Sequence, residues 1–203
     1  MKNFIKYAFT LMLLVSASFA YAQDATKILD KTSTALKSAG NLKIGFTLNA
    51  DGNSGTGYIK LQGQKFVVNM AGTITWFDGT TMWNYVKKNE EVNVTTPSAA
   101  EIAKMNPYSF LSFYKKGYTA KMGKSTAKEY EVILTGQANN PYSKVVMRVN
   151  KNSYQPSYIQ MTSSKGNVTT INCNSFLKNQ KYTEATFKFN KKNYPNVEVV
   201  DLR

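Results

Sequence analysis

Twelve carboxylates, one cysteine and no histidine are the side chains from which any acid, base, nucleophile or metal chemistry in this 203-residue chain must be built. Without histidine, the commonest metal ligand and the usual proton carrier near neutral pH are both missing. Cys173 alone makes neither an intrachain disulfide nor a thiolate zinc cluster. It falls in an apolar-alternating run, where a buried, inert thiol is the expected role. The carboxylates, from Asp24 to Asp201, fall mostly at turns and helix starts and form no motif. A pair assembled in space for hydrolysis remains an alternative. Serines and threonines are plentiful, but none sits in a nucleophile elbow and none has a histidine base. No catalytic residue, no metal and no cofactor is assigned.

The residues that stand out are apolar. Phe110, Leu111, Phe113 and Tyr114 crowd five positions between Pro107 and Gly117. Such a cluster serves as a core plug or as a cap over a greasy cavity, since an apolar patch of that size marks binding when exposed. Its meaning depends on the elements around it.

The chain is one domain in length, and 42% hydrophobic against 19% charged residues makes it a folding sequence rather than a disordered one. Lys2 and Lys6 precede an apolar run from Tyr7 to Phe19, and Ala20-Tyr21-Ala22 completes the pattern of a cleaved export signal. Residues 1–22 are therefore expected to be removed, leaving 23–203 as the mature domain outside the cytoplasm. That domain keeps twice as many basic as acidic residues. Export argues against nucleic acid as a partner. The lysines are scattered in pairs such as Lys87-Lys88 and Lys115-Lys116, which suits a solvated face or transient contact with an anionic membrane.

Ile28, Leu29, Ala35 and Leu36 recur at helical spacing after Asp24, with Gly40 as a stop, so the domain opens on an amphipathic helix. The period then changes to two, with Leu42, Ile44, Phe46 and Leu48 on one face of a strand. Strands follow at 56–61, 65–70, 73–77, 81–86 and 91–95, joined by loops short enough only for antiparallel neighbours. Ser98 starts a short helix carrying Ile102 and Met105, which Pro107 interrupts. Strands resume at 118–122, 130–135, 145–149, 158–162, 168–176, 187–189 and 197–200. The fold class is mainly β (α+β), an incomplete antiparallel β-barrel of about ten or more strands. An N-terminal helix and central lid helices are expected over its concave face. Periodicity leaves a filled and a hollow interior equally open.

The block Gly57-Tyr58-Ile59-Lys60-Leu61, then Lys65-Phe66-Val67-Val68, then Phe77-Asp78-Gly79-Thr80-Thr81-Met82-Trp83-Asn84-Tyr85 and Glu91-Val92-Asn93-Val94 resembles the periplasmic lipoprotein carrier family, LolA. The resemblance implies a half-barrel whose lid helices close over a hydrophobic cavity for lipoprotein acyl chains. It implies no catalysis, an inner-membrane ATP-driven extractor as donor and an outer-membrane acceptor. A carrier of another lipid with the same fold and an exported carboxylate hydrolase are the alternatives. Phe66 matches the family's cavity phenylalanine, and alternation adds Val68 and Met70. Trp83 and Tyr85 match its W-x-Y, and Phe46 completes the expected acyl lining. Ile102, Met105, Phe110, Leu111 and Phe113 are the expected lid. The family's Arg-Pro before the phenylalanine strand is missing; Leu61-Gln62-Gly63-Gln64 stands there instead.

Overall fold

The computed structural model describes residues 24–99, 101, 102 and 113–203. The expected leader and the lid residues Met105, Phe110 and Leu111 lie outside these, as does the side chain of Phe113. Helix α1 covers 24–37 and ends before Gly40, whose φ of +67° costs a glycine nothing.

Twelve strands follow: β1 (Leu42–Ala50), β2 (Asn53–Gln62), β3 (Lys65–Met70), β4 (Thr73–Phe77), β5 (Met82–Val86), β6 (Glu91–Thr95), β7 (Tyr118–Met122), β8 (Glu129–Gly136), β9 (Tyr142–Asn150), β10 (Pro156–Ser163), β11 (Val168–Leu177) and β12 (Glu198–Asp201). They form one open sheet in the order β12-β6-β5-β4-β3-β2-β1-β11-β10-β9-β8-β7. All neighbours are antiparallel except β12, which lies parallel to β6. The chain makes two meanders, β1–β6 and β7–β11, joined where β1 pairs with β11.

Directly opposed residues share a face of the sheet, so the registers assign every strand position. Leu42, Leu61, Phe66, Phe77 and Met82 oppose one another in turn and form a buried row. Leu36 and Ala39 of α1 and its end pack on it, with Ile102 against its edge. Ala25, Ile28 and Leu29, from the other half of α1, pack on Val132, Leu134, Val145, Met147 and Val149 of the second meander. Thus α1 lies across the concave face and bridges both meanders. Burying Ile28, Leu29 and Leu36 contributes about 1.5–3 kcal/mol each.

The outer face of β3–β6 is also covered. Val67, Trp76, Tyr85, Val92 and Val94 pack against Phe187 and Val197 from the C-terminal segment, and the Trp76 ring lies 5.8 Å from Phe189 and 5.9 Å from Tyr194. The strand expected at 187–189 is instead a 3-10 turn, Glu184–Phe187, followed by irregular chain. Its aromatic residues dock onto the sheet's outer face rather than extend its edge.

Candidate functional site

The concave face changes character along the strands. In the row under the end of α1, Phe66 is 1% exposed and its ring sits 5.2 Å from that of Phe77, so this level is filled by the protein itself. One step along, Phe176, Ile44, Ile59 and Val68 oppose one another and are all half-buried. The next level holds Cys173, Phe46 and Met70, and beyond it Ile171 and Leu48. Phe46 is buried, and its Cζ lies 2.9 Å from where a Cβ at Gly57, opposite it on β2, would stand; the others at these levels are half-buried. A contiguous apolar surface therefore remains partly open on β11, β1, β2 and β3, beside the part that α1 seals.

Of the expected acyl-lining residues, Phe46, Phe66, Val68 and Met70 come together on this face. Trp83 and Tyr85 do not, which corrects their assignment. Phe77 opposes Met82 across the β4–β5 turn, so Met82 and Asn84 take the concave face, while Trp83 and Tyr85 fall on the outer one. There Tyr85 packs 5.0 Å from Tyr194, and Trp83 packs against the same outer cluster. Gln62 opposes Lys65 on that outer face as well, so it does not face the concave side, where a latch for the lid would be needed. Burial pushes the Cys173 thiol up to about 11, which keeps it protonated and unreactive at neutral pH.

The expected lid meets the described structure at its two flanks. Ser98 and Glu101 form a capping box: the Glu101 carboxylate accepts from the Ser98 amide at 2.8 Å and from its hydroxyl at 2.7 Å, and the Glu101 amide donates back to Ser98 Oγ at 3.4 Å. That turn sets Ile102 on the Phe66 row. At the far flank, Tyr114 is buried with the α1 residues, and its hydroxyl donates to Asp30 Oδ1 at 2.6 Å. Lys115 Nζ reaches the same oxygen at 2.9 Å. The chain therefore leaves β6 near one end of the sheet and enters β7 at the other, with both flanks held on the concave side.

Sequence reading missed the Asp30 tether, since nothing in the spacing of Asp30 and Tyr114 links them. Hydrogen bonds from Tyr114 and Lys115, with the charge of Lys115, hold the Asp30 carboxyl below its usual range. Burial, then the bond and charge of Asp30, push the Tyr114 hydroxyl above its own. A lowered carboxylate pKa contributes stability that is present above the unfolded value of about 3.9 and lost as pH falls through the folded one. The raised tyrosine value contributes below about 10 and is lost at higher pH. The tether is thus expected intact at neutral pH and loosened in acid. Carboxyl NMR titration should give Asp30 a depressed midpoint that rises in Tyr114→Phe; an unmoved midpoint would count against the tether.

Among the described residues, no three acidic or cysteine side chains stand together as metal ligands, and no helix is long and apolar enough to cross a membrane. Residues 15–166 match the family described as outer membrane lipoprotein carrier protein LolA. No curated protein matches. Among solved structures, an uncharacterized conserved protein from Thermus thermophilus superposes with a TM-score of 0.60 at 13% identity, covering 88% of this chain and 99% of its own. A putative outer membrane lipoprotein-sorting protein domain from Vibrio parahaemolyticus gives 0.48 at 12% identity, covering 86% and 99%. A LolA superfamily protein from Nitrosomonas europaea gives 0.41 at 14%, covering 81% and 97%. The Thermus protein shares the fold, and the match over most of the sequence shows that this chain belongs to the outer membrane lipoprotein carrier protein LolA family.

Proposed function

We propose that this chain is a periplasmic carrier that takes up the acyl chains of lipoproteins on its concave face and moves them from the inner to the outer membrane. The observation that carries this reading is the half-buried apolar surface of Ile44, Ile59, Val68 and Met70 beside Phe46. Alkyl chains laid there leave water at a gain of about 0.8 kcal/mol per methylene, enough to hold cargo without a covalent bond. In this reading Phe66 supports the floor of the site from within the core. Ile102, Met105, Phe110, Leu111 and Phe113 form the cover. An inner-membrane ATP-driven extractor loads the protein, an outer-membrane acceptor unloads it, and no reaction is catalysed. Export with cleavage behind Ala22 delivers it to the periplasm, where the excess of lysine favours transient contact with anionic membranes.

Protein purified from its own periplasm is expected to carry acylated polypeptide, detected by native mass spectrometry. A persistently empty protein from cells making lipoproteins would refute the reading. Val68→Asp is expected to cut the bound cargo at least about tenfold, because a carboxylate against alkyl chains costs several kcal/mol when unpaired. Val68 is half-buried, so circular dichroism should show the variant folded.

A further inference from the structure

The half-open concave level does not stay apolar across the sheet. After Ile44, Ile59 and Val68, the same line of opposed residues continues as Thr75 on β4, Asn84 on β5 and Asn93 on β6. All three are half-buried. Thr75 Oγ1 donates to Asn84 Oδ1 at 3.0 Å, which leaves the Asn84 Nδ2 hydrogens to donate elsewhere. Asn93 Nδ2 donates to Glu91 Oε1 at 2.5 Å, leaving Asn93 Oδ1 to accept. Three polar side chains on one face of adjacent strands would each favour water or a ligand over apolar cover.

The charges on this face decide what kind of ligand fits. By register, no concave position from β1 to β11 is a lysine or arginine, and the one charged side chain there is Glu91. Among the described strand positions, Lys43, Lys60, Lys65, Lys121, Lys144 and Arg148 all fall on the outer face. Among these strand positions a free fatty carboxylate or a phosphate would meet no cation and would face Glu91, a like charge. Uncharged ester and amide carbonyls need only a donor, which Asn84 supplies, and an amide N–H needs an acceptor, which Asn93 supplies.

We propose that Thr75, Asn84 and Asn93 form the head-group end of the site, binding the uncharged ester and amide groups that join acyl chains to a polypeptide, while the chains run over Val68, Ile59 and Ile44. This rests on the acyl-carrier reading and adds the polar class of the cargo to it. The row selects O- and N-acylated polypeptide over free fatty acid and anionic phospholipid.

The test titrates the mature protein with a diacylated lipopeptide, with palmitate, with phosphatidylglycerol below its aggregation limit, and with the uncharged apolar fluorophore N-phenylnaphthylamine. Wild type is expected to bind lipopeptide more tightly than palmitate or phosphatidylglycerol. Asn84→Leu, close in volume, is expected to weaken lipopeptide about tenfold, as for one lost hydrogen bond to a group that stays dry, while fluorophore affinity stays within about twofold. Asn84→Gln should recover part of the loss. Unchanged lipopeptide affinity in Asn84→Leu, or an equal fall for the fluorophore, would overturn the head-group assignment and leave the carrier reading standing. Wild type that binds neither lipopeptide nor fluorophore would overturn both.

Discussion

Truncating Phe66 to alanine is expected to lower the unfolding free energy by about 3–5 kcal/mol, the cost of removing a fully buried aromatic ring whose surroundings collapse only partly. The ring is 1% exposed and stands 5.2 Å from Phe77, in the row with Leu61 and Met82 beneath Leu36 of α1. Strands on either side hold its neighbours in place, so the space it leaves closes only in part. Urea unfolding with a constant m-value would measure the loss. A cost below about 1 kcal/mol would mean that Phe66 lines an accessible hollow and adds little to the core. Val68→Ala, on the half-buried level next to it, is expected to cost much less in stability and to act on cargo instead.

Gly57→Ala is expected to be nearly as damaging, for the opposite reason. A Cβ at this position would lie 2.4 Å from the Asn69 carbonyl oxygen, 2.9 Å from Phe46 Cζ and 3.1 Å from Met70 Cβ. The Phe46 ring could turn, but the carbonyl belongs to β3, whose register with β2 places Asn69 opposite Tyr58. The two strands must therefore separate locally or the sheet must twist further, at about 2–3 kcal/mol for such overpacking. A fall in melting temperature together with weakened acyl binding is the expected pair of results, because Phe46 and Met70 shift with the backbone. A variant as stable as wild type would show that the strands give way more easily than the contact distances imply.

Much of this architecture was legible because its turns are short. Two-residue connections such as Asp51-Gly52 and Ala71-Gly72, both with positive φ at each residue, fix the hairpin register. Alternation then carries Phe66, Val68 and Met70 to one face, where the structure has them. Trp83 and Tyr85 depart from the expected lining because a W-x-Y motif does not fix which face of the strand its residues take. The Asp78-to-Thr81 turn, held by Asp78 Oδ1 accepting from the Thr80 and Thr81 amides at 3.0 and 2.8 Å, closes with Phe77 opposite Met82. Counting from that pair puts Trp83 on the other face. The same count puts Asn84 and Asn93 on the concave face, which apolar periodicity does not signal because both are polar.

What sequence could not supply was the relation between distant segments. Phe187, Phe189 and Tyr194 read as a strand followed by a loop, and only the presence of Trp76 and Tyr85 on an otherwise uncovered outer face gives them a place to dock. Likewise Asp30 and Tyr114 are far apart in the chain, and their bond depends on α1 lying across the sheet. Local propensity carries no information about either arrangement.

The pairing of β1 with β11 has a kinetic side. Every other antiparallel neighbour in the sheet is the adjacent strand in the chain, so each meander assembles from hairpins that close quickly. The β1/β11 seam joins residues such as Phe46 and Cys173 across most of the chain and bears the largest loop-closure entropy of the antiparallel contacts. Its alignment, with a bulge at Gly45/Phe46, is therefore expected to come late in folding. Until it forms, β1 and β11 are both unprotected edges, the surfaces on which the folding chain is most open to pairing with the wrong partner.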